Sequence, residues 1–378
     1  MFKEYQICTR CVMDTSDPEI ILDGLGVCNH CKNYDVTIKN HSISGEKGRL
    51  QFNRIAEQIK RDGIGKPYDC IIGVSGGVDS TFLAYIVKKL GLRPLAVHLD
   101  NGWDSELAVK NIENVLNKLN IELYTFVIDW EEFKDLQLAF LKASTPDSEI
   151  PTDHAIFSLL YQLADKFKIK YVLPGFNGRT ESHLPQSWSQ GHYDWKYIKN
   201  VHKRFGKLPL LTFPHATFLE LAWYRLTQRW ISVLNYVDYV KKDAMMILEK
   251  ELDWKYYGGK HYESIYTRFY QGYILPKKFG FDKRRTHLSS LICSGQISRE
   301  EALEELKNET YPLELQKQDR EYVIKKLGIT EKDFEEIMGL PLKSYWDYPS
   351  YGNIYKAPLF KAAFSLYTYL KKIAGIHR

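Results

Sequence analysis

The sequence predicts an α/β protein with a parallel sheet covered by helices on both faces, a cysteine-bearing segment before it and a helical region after it. Between residues 69 and 173, short β-rich runs alternate with amphipathic stretches, which is typical of strand–helix–strand units. Two CxxC pairs precede these runs, and the β-rich pattern fades after about residue 205. We therefore expect three parts, at residues 1–45, 46–205 and 206–378.

The elements of the middle part follow from hydrophobic periodicity. A helical pattern over residues 50–63 ends at Gly63. Strands are predicted at residues 69–74, 94–99, 123–128 and 170–173, and helices at residues 80–90, 105–119, 130–143 and 153–167. Ligands of parallel sheets bind beyond the carboxyl ends of the strands, so the residues that directly follow these strands are candidates for a binding site.

The last part is predicted to be mostly helical. Residues 218–229, 238–252 and 263–273 show helical periodicity. A capping box at Ser298 and a helix N-terminal pattern at Thr330 predict two more helices. The periodicity of residues 360–375 predicts a C-terminal helix. No linker rich in proline, glycine or serine precedes this part, so we expect it to pack against the sheet.

Composition narrows the class of protein. The 378 residues include 44% hydrophobic residues and carry a net charge of +5, which is too small to indicate nucleic-acid binding but fits a protein that binds small anions. No apolar stretch of about 18 residues predicts a membrane span. The N-terminal sequence MFKEYQICTRC lacks an apolar signal core, so we expect a cytoplasmic protein.

The sequence SGGVDS, residues 75–80, directly follows the first predicted strand and indicates a phosphate-binding loop. Glycine lets backbone N–H groups approach an anion, and the next helix directs its positive end to the same point. Ser75 and Ser80 add hydroxyl donors, while Asp79 beside a phosphate requires a bridging Mg²⁺. The alternative is a tight turn without a ligand. The loop is neither a GxxxxGK[ST] nor a GxGxxG loop.

The two CxxC pairs predict a structural zinc site. Cys8 and Cys11 are separated by sixteen residues from Cys28 and Cys31, and two such turns complete a closed tetrahedral shell. The alternatives are disulfides, which a cytoplasmic compartment disfavours, and a redox or sulfur-carrying pair.

Three other residues are weaker candidates for metal or sulfur chemistry. His30 lies inside the second CxxC pair and is an alternative ligand. Cys70 in a predicted strand and Cys293 in a helical run are expected to be small buried hydrophobic residues rather than nucleophiles.

Two segments contain candidates for charge stabilisation and substrate stacking. Residues 256–285 are rich in glycine, aromatic and basic residues, which suits a lid over phosphates, with charges from Lys260, Arg268, Lys283 and Arg284. Residues 182–206 offer Trp188, Tyr193 and Trp195 for stacking on sugar rings and His192, Lys199 and Arg204 for an anionic group. The alternatives are a solvated basic face and ordinary packing of aromatic residues.

The loop resembles the pyrophosphate loop of the ATP pyrophosphatase (PP-loop) superfamily, whose members cleave ATP between the α and β phosphates and adenylate a carbonyl or amide-like oxygen. The resemblance implies an ATP site formed by Ser75, Gly76, Gly77, Val78, Asp79 and Ser80. It also implies that Asp100 contacts adenosine and that the segment from Gly175 to Glu181 contacts ATP. Glu181 would be a second Mg²⁺ ligand beside Asp79, or else a surface acid in a polar loop.

Several segments together resemble the N-acetyl sugar amidotransferases of this superfamily over essentially the whole chain. They are CTRCVMDTSDPEI, GVCNHC, SGGVDS, YYGGKHYES, TRFYQGYILPKKFGFDKRR and LSSLICSGQISREEALEEL. The resemblance implies an AMP- and pyrophosphate-forming ligase that converts a sugar acetamido group into an acetamidino group. It would act in the synthesis of bacterial O-antigen (lipopolysaccharide) or flagellin glycans, including sugars of the pseudaminic acid type. Ammonia would come from a partner glutaminase of the class I glutamine amidotransferase type, because the chain shows no glutaminase nucleophile.

Two other functions fit part of these observations. A tRNA thiolation enzyme of the same superfamily would activate a base carbonyl in the same way, but it needs a sulfur-carrying cysteine near the loop and a more basic chain. A zinc-ribbon interaction protein with a degenerate nucleotide fold would not need the intact SGGVDS loop.

Overall fold

A five-stranded parallel sheet forms the centre of the structure, a computed structural model that describes residues 4–43, 45–352 and 365. The strands are β1 Cys70–Gly73, β2 Pro94–Asp100, β3 Glu122–Val127, β4 Tyr171–Leu173 and β5 Arg229–Trp230. Their order is β3-β2-β1-β4-β5, with all neighbours parallel. The predicted fold class is thereby confirmed. The strand order reverses between β1 and β4, which is where open α/β sheets bind ligands.

Helices cover both faces of the sheet and form most of the remaining structure. In the first half of the chain they are α1 Asn29–His41, α2 Gly45–Asp62, α3 Val78–Lys89, α4 Glu106–Leu119, α5 Trp130–Ala143, α6 Ile150–Lys166 and α7 Gly178–Glu181. Later in the chain they are α8 Trp195–Phe205, α9 Phe218–Thr227, α10 Lys241–Leu252, α11 Ile265–Phe269, α12 Arg284–Cys293, α13 Arg299–Glu305, α14 Leu313–Leu327 and α15 Glu331–Met338. Residues Tyr270–Phe279 form a π-helical segment.

Strand β1 is buried on both faces. Cys70 and Ile72 pack with α2, α3 and α4 on one face, whereas Ile71 packs with α6 on the other. Successive side chains of a strand point to opposite faces, so a central parallel strand needs a continuous apolar run. This two-sided packing fixes the end of β1 and the loop that follows it.

Some predicted helix boundaries are wrong. The predicted helix 218–229 ends at Thr227, and Arg229–Trp230 instead pair with β4, because a two-residue strand is too short to give an alternating pattern. Helix α6 begins at Ile150, three residues before its predicted start, with Pro151 in its first turn.

Two further helical regions differ from the prediction. The predicted helix 263–273 is α11, which continues into the π-helical segment around Pro276; a proline lacks the N–H of a regular helix and favours such irregular turns. Helix α8 was not predicted, although Asp194 caps it by accepting from the Tyr197 N–H.

The cysteine segment packs into the main apolar core. Met13 and Ile20 belong to the same buried cluster as Trp103 and Phe133. The division of the chain near residues 45 and 205 therefore stays a prediction. The predicted C-terminal helix 360–375 lies outside the described residues, apart from residue 365. In the described ranges, no helix has the length and apolar character needed to cross a membrane.

Candidate functional site

The SGGVDS loop joins the carboxyl end of β1 to α3 in a compact turn. Gly76 adopts φ +77°, a conformation that favours glycine, and a Cβ there would lie 2.6 Å from the Ala108 carbonyl oxygen. Gly77 is the N-cap of α3. Its N–H donates to Ser75 Oγ at 3.4 Å, and Ser75 Oγ lies 3.3 Å from Ser80 Oγ. The loop thus gathers backbone and hydroxyl donors at a helix N-terminus, which suits an anion.

The loop after β4 lies directly against this turn. A Cβ at Gly175 would be 3.0 Å from Ser80 Cα and 3.1 Å from Ser80 N, so any larger residue would require one of the two segments to shift. Asn177 caps α7 by accepting from two backbone N–H groups. Helix α7 ends at Glu181, which lines the same cavity as the SGGVDS loop.

A cavity of about 510 Å³, here called the loop cavity, opens at the SGGVDS loop. A second cavity of about 590 Å³ adjoins it. Both volumes fall within the range of small-molecule clefts, about 300–1,000 Å³. The residues that line both are Asp79, Lys241, Tyr257, Lys260, Lys283 and His287.

Carboxylates and lysines meet where the cavities adjoin. Lys260 Nζ donates to Glu181 Oε1 at 2.9 Å, and the Tyr239 hydroxyl donates to Asp79. Burial, and next the charge of Glu181, raise the pKa of Asp79. Burial opposes ionisation of Glu181 as well, but the Lys260 ammonium outweighs it and holds the pKa of Glu181 below its usual value. Carboxylate oxygens are the ligands that Mg²⁺ prefers, so Asp79 and Glu181 fit this ion.

The four predicted basic residues occupy different positions. Lys260 and Lys283 line both cavities, whereas Arg268 and Arg284 line only the second. Both arginines are already paired with carboxylates, and Arg268 contacts Asp319 through two nitrogens at 2.7 and 2.8 Å. Lys260 is also paired, with Glu181, but both lysines border the cavity that contains the SGGVDS loop and are therefore better placed to meet a phosphate.

A buried histidine also faces the junction of the cavities. Nε2 of His287 is buried and has no hydrogen-bond partner among the described residues. Burial, and next the charge of Lys260, hold the pKa of His287 well below its usual value. The imidazole is therefore neutral near pH 7.

The other candidates after the strands differ in position. Asp100 accepts from the Gly102 N–H at 2.8 Å and lines neither cavity, so its contact with adenosine stays a prediction. His192 and Tyr193 line the loop cavity, where Tyr193 stacks on Phe157 with centroids 4.8 Å apart. The other four candidates line neither cavity. Trp188 and Trp195 are buried, whereas Lys199 and Arg204 are exposed.

The cysteines of the two CxxC pairs converge in the core. All four are fully buried, and their sulfur atoms lie within 4.8 Å of one another. The Cys8–Cys31 and Cys11–Cys28 sulfurs are 3.9 and 3.7 Å apart. A tetrahedral ion with Zn–S bonds of about 2.3 Å separates its sulfurs by about 3.8 Å. The four thiols therefore fit a tetrahedral metal ion.

The three weaker candidates, His30, Cys70 and Cys293, differ in their surroundings. His30 Nε2 lies 2.6 Å from Asp17 Oδ2 and does not join the cysteine group. Cys70 is fully buried in β1, as predicted. Cys293 is not an isolated hydrophobic residue, because its sulfur lies 3.7 Å from Cys31 Sγ.

Several residues that shape the loop were missed in the sequence. The Tyr257 hydroxyl accepts from the Val78 N–H at 3.2 Å, and the Trp254 indole donates to the Gly76 carbonyl at 2.9 Å. Lys241 at the start of α10 lines both cavities. The dense YYGG pattern indicates Tyr257 as a candidate, but no local pattern indicates Trp254 or Lys241.

A parallel sheet with SGGVDS at the carboxyl end of its central strand defines a fold of the PP-loop type. Residues 263–361 match the model of the family described as LPS biosynthesis protein WbpG-like, C-terminal domain. This match supports the predicted resemblance over residues 263–361.

Known proteins are similar over different lengths. The chain is 23% identical over 318 residues to "Uncharacterized protein MJ1599" of Methanocaldococcus jannaschii, covering 82% of this chain and 95% of that protein. It is 29% identical over 112 residues to tRNA-specific 2-thiouridylase MnmA 2 of Fusobacterium nucleatum, covering 28% of this chain and 32% of that protein. The chain thus spans about a third of that thiouridylase. The solved NMN synthetase from Francisella tularensis has a TM-score of 0.34 and 14% identity, covering 78% of this chain and 97% of its own.

Proposed function

We propose that the protein is an ATP-dependent ligase that converts the acetamido group of a sugar into an acetamidino group. The observation that carries this proposal is the loop cavity, in which the SGGVDS loop, Glu181, Lys260 and Lys283 surround one space. The match of residues 263–361 to WbpG-like LPS biosynthesis proteins supports a sugar substrate of bacterial surface glycans, such as O-antigen or flagellin sugars of the pseudaminic acid type. The reaction would take place in the cytoplasm, where ATP is supplied.

The loop is suited to hold the two outer phosphates of ATP. The start of α3 offers backbone N–H groups and its positive dipole end, and Ser75 and Ser80 add hydroxyl donors. Asp79 and Glu181 would hold Mg²⁺, whose charge offsets that of the phosphates. Lys260 and Lys283 would stabilise the charge that grows on the departing pyrophosphate.

The amide must be activated because its carbon is a poor electrophile. The amide oxygen attacks the α-phosphorus, the bond from that phosphorus to the bridging oxygen breaks, and pyrophosphate leaves. The product is a cationic O-adenylated imidate. Ammonia then adds to the imidate carbon, AMP leaves with the former amide oxygen, and a protonated acetamidine remains.

We assign the second cavity to the sugar, since Lys260 and Lys283 would then lie between the amide and the α-phosphate. His287 borders both cavities, and its Nε2 has no hydrogen-bond partner in the described part of the chain. It is placed to take up the proton that the new nitrogen must lose after ammonia has added, because that nitrogen carries three hydrogens in the adduct and two in the protonated acetamidine.

A glutaminase subunit of the class I type is the proposed source of ammonia. Among the residues that the structure describes, no cysteine lines either cavity, so neither cavity offers a thiol to release ammonia from glutamine. We further propose that Zn²⁺ occupies the site of Cys8, Cys11, Cys28 and Cys31 as a structural ion.

The test uses ammonium chloride, so that the partner is not needed. Purified protein is incubated with ATP, Mg²⁺ and a panel of acetamido sugars, free and nucleotide-linked. We expect AMP formation that depends on both sugar and ammonium, and a sugar product whose mass reflects exchange of O for NH. ATP consumption that yields ADP, or that ignores the sugar, would refute the proposal.

The alternative is a tRNA thiolation enzyme, which the similarity to a tRNA-specific 2-thiouridylase favours. Such an enzyme needs a sulfur-carrying cysteine that can reach the activated base, and the cavity walls provide none among the described residues. Stimulation of AMP formation by tRNA, with no response to acetamido sugars, would establish the alternative.

A further inference from the structure

A second group of metal-binding atoms lies beside the four cysteines. Cys293 is the last residue of α12, and its sulfur is 3.7 Å from Cys31 Sγ and 3.6 Å from His183 Nε2. The three ligand atoms lie within 4.8 Å of one another. We propose that Cys31, His183 and Cys293 form a second zinc site, with the Cys31 thiolate bridging the two ions. This inference rests on the zinc ion proposed for the four cysteines but not on the proposed reaction.

The distances agree with a tetrahedral ion. Zn–S bonds of about 2.3 Å and Zn–N bonds of about 2.0–2.1 Å separate two sulfurs by about 3.8 Å and a sulfur from a nitrogen by about 3.6 Å. The corresponding separations are 3.7 Å for Cys31–Cys293 and 3.6 Å for Cys293–His183. A simple S–H···N hydrogen bond would explain the second distance alone, whereas an ion explains why all three atoms converge.

The surroundings of His183 fix the tautomer that a metal needs. Ser290 Oγ donates to the Thr286 carbonyl at 3.0 Å, so this oxygen accepts from His183 Nδ1–H, also at 3.0 Å. His183 is fully buried, and its Nε2 therefore directs a lone pair toward Cys293. Metal-bound histidines are typically held by such a hydrogen bond on the other ring nitrogen.

Charge also favours a second ion. Four thiolates around one Zn²⁺ leave two net negative charges. Five thiolates around two Zn²⁺ leave only one. The buried cluster is thus closer to neutral with both ions, which lowers the cost of burying charge. Binding releases the thiol proton of Cys293 to solvent. A water molecule would be the fourth ligand of the second zinc ion, on the side where His183 borders the loop cavity.

The test counts metal in the full chain. Protein reconstituted with Zn²⁺ and freed of excess should contain two ions per chain by elemental analysis. Cys293→Ala and His183→Gln should each contain one, while Cys70→Ala, which removes a buried thiol of β1, should keep two. Titration with Co²⁺ should show two steps of thiolate-to-cobalt absorption, the second missing in Cys293→Ala.

The number of zinc ions per wild-type chain tests the second site even if a variant fails to fold. One ion per chain in the wild type, with one cobalt step, would overturn the second site. Two ions retained by Cys293→Ala would overturn the assignment of this cysteine.

Discussion

Lys260 Nζ donates to Glu181 Oε1 at 2.9 Å in the wall between the two cavities. This ion pair connects the basic segment 256–285 to the end of α7. The ion pair engages both side chains, whereas the proposed reaction needs Lys260 at a phosphate and Glu181 at Mg²⁺. When nucleotide binds, we expect Lys260 to move to a phosphate oxygen and Glu181 to become free for Mg²⁺.

Replacing Lys260 should slow the reaction more than it weakens ATP binding. Lys260→Met removes positive charge where the pyrophosphate departs, and the loss of one such stabilising group costs about 10²–10³ in kcat. Steady-state AMP formation measures this effect. Lys242→Met, at an exposed position of α10, is the matched control and should behave like the wild type. An unchanged kcat in Lys260→Met would remove this lysine from the mechanism.

Asp79→Asn should be more stable than the wild type but inactive. Burial, and next the charge of Glu181, raise the pKa of Asp79 above 3.8, so the folded protein holds this proton more tightly than the unfolded chain does. Stability therefore falls as pH rises from 3.8 through the higher folded-state pKa, by about 1.4 kcal/mol per unit of pKa difference. Asparagine keeps an acceptor for Tyr239 and carries no charge.

The measurement is thermal unfolding at pH 7 without nucleotide, together with AMP formation. A higher melting temperature with lost activity is the expected pair of results. A lower melting temperature would show that the ionised carboxylate stabilises the fold.

Stability should decline in mild acid because of His154. Burial lowers the pKa of His154 to about 4 from 6.5, and the neutral ring accepts from the Ala216 N–H at 3.3 Å. The unfolded chain takes up this proton first, so stability is lost as pH falls from 6.5 toward 4, by up to about 3 kcal/mol. Urea unfolding at several pH values should show a smaller decline in His154→Gln; an equal decline would point to other groups.

Gly175→Ala should impair ATP binding. Its Cβ would lie 3.0 Å from Ser80 Cα and 3.1 Å from Ser80 N, so the β4 loop or the start of α3 must shift where the phosphates are proposed to bind. Gly73→Ala is the matched control, since its Cβ would meet only Leu160 side-chain atoms from 3.6 Å outward. The ATP KM should rise in Gly175→Ala alone; equal values would mean that the loop tolerates the shift.

His287→Gln should separate the two chemical steps. Loss of the proton acceptor should slow acetamidine formation by about 10²–10⁴-fold while leaving the adenylation step intact. Exchange of labelled pyrophosphate into ATP in the presence of sugar measures adenylation alone. If exchange and product formation fall together, His287 acts in binding or folding instead.

The sheet and the loop could be predicted because their patterns are local. The apolar run of β1, the glycines after it and the helix that follows stand next to one another in the chain. Partners that come from distant segments leave no such pattern. Tyr239 reaches Asp79 across 160 positions of sequence, and Cys293 reaches Cys31 across 262. Tertiary packing alone brings these pairs together, so the sequence indicated the binding loop and several residues of its cavity, but neither of these two contacts.

The central claim is that the loop holds the two outer phosphates of ATP while the inner phosphorus is transferred to an amide oxygen. The most direct test supplies an acetamido sugar labelled with heavy oxygen at its carbonyl, together with ATP, Mg²⁺ and ammonium. Mass analysis of the nucleotide product should find the heavy oxygen in AMP and none in pyrophosphate. Unlabelled AMP, or ADP with free phosphate, would contradict the account.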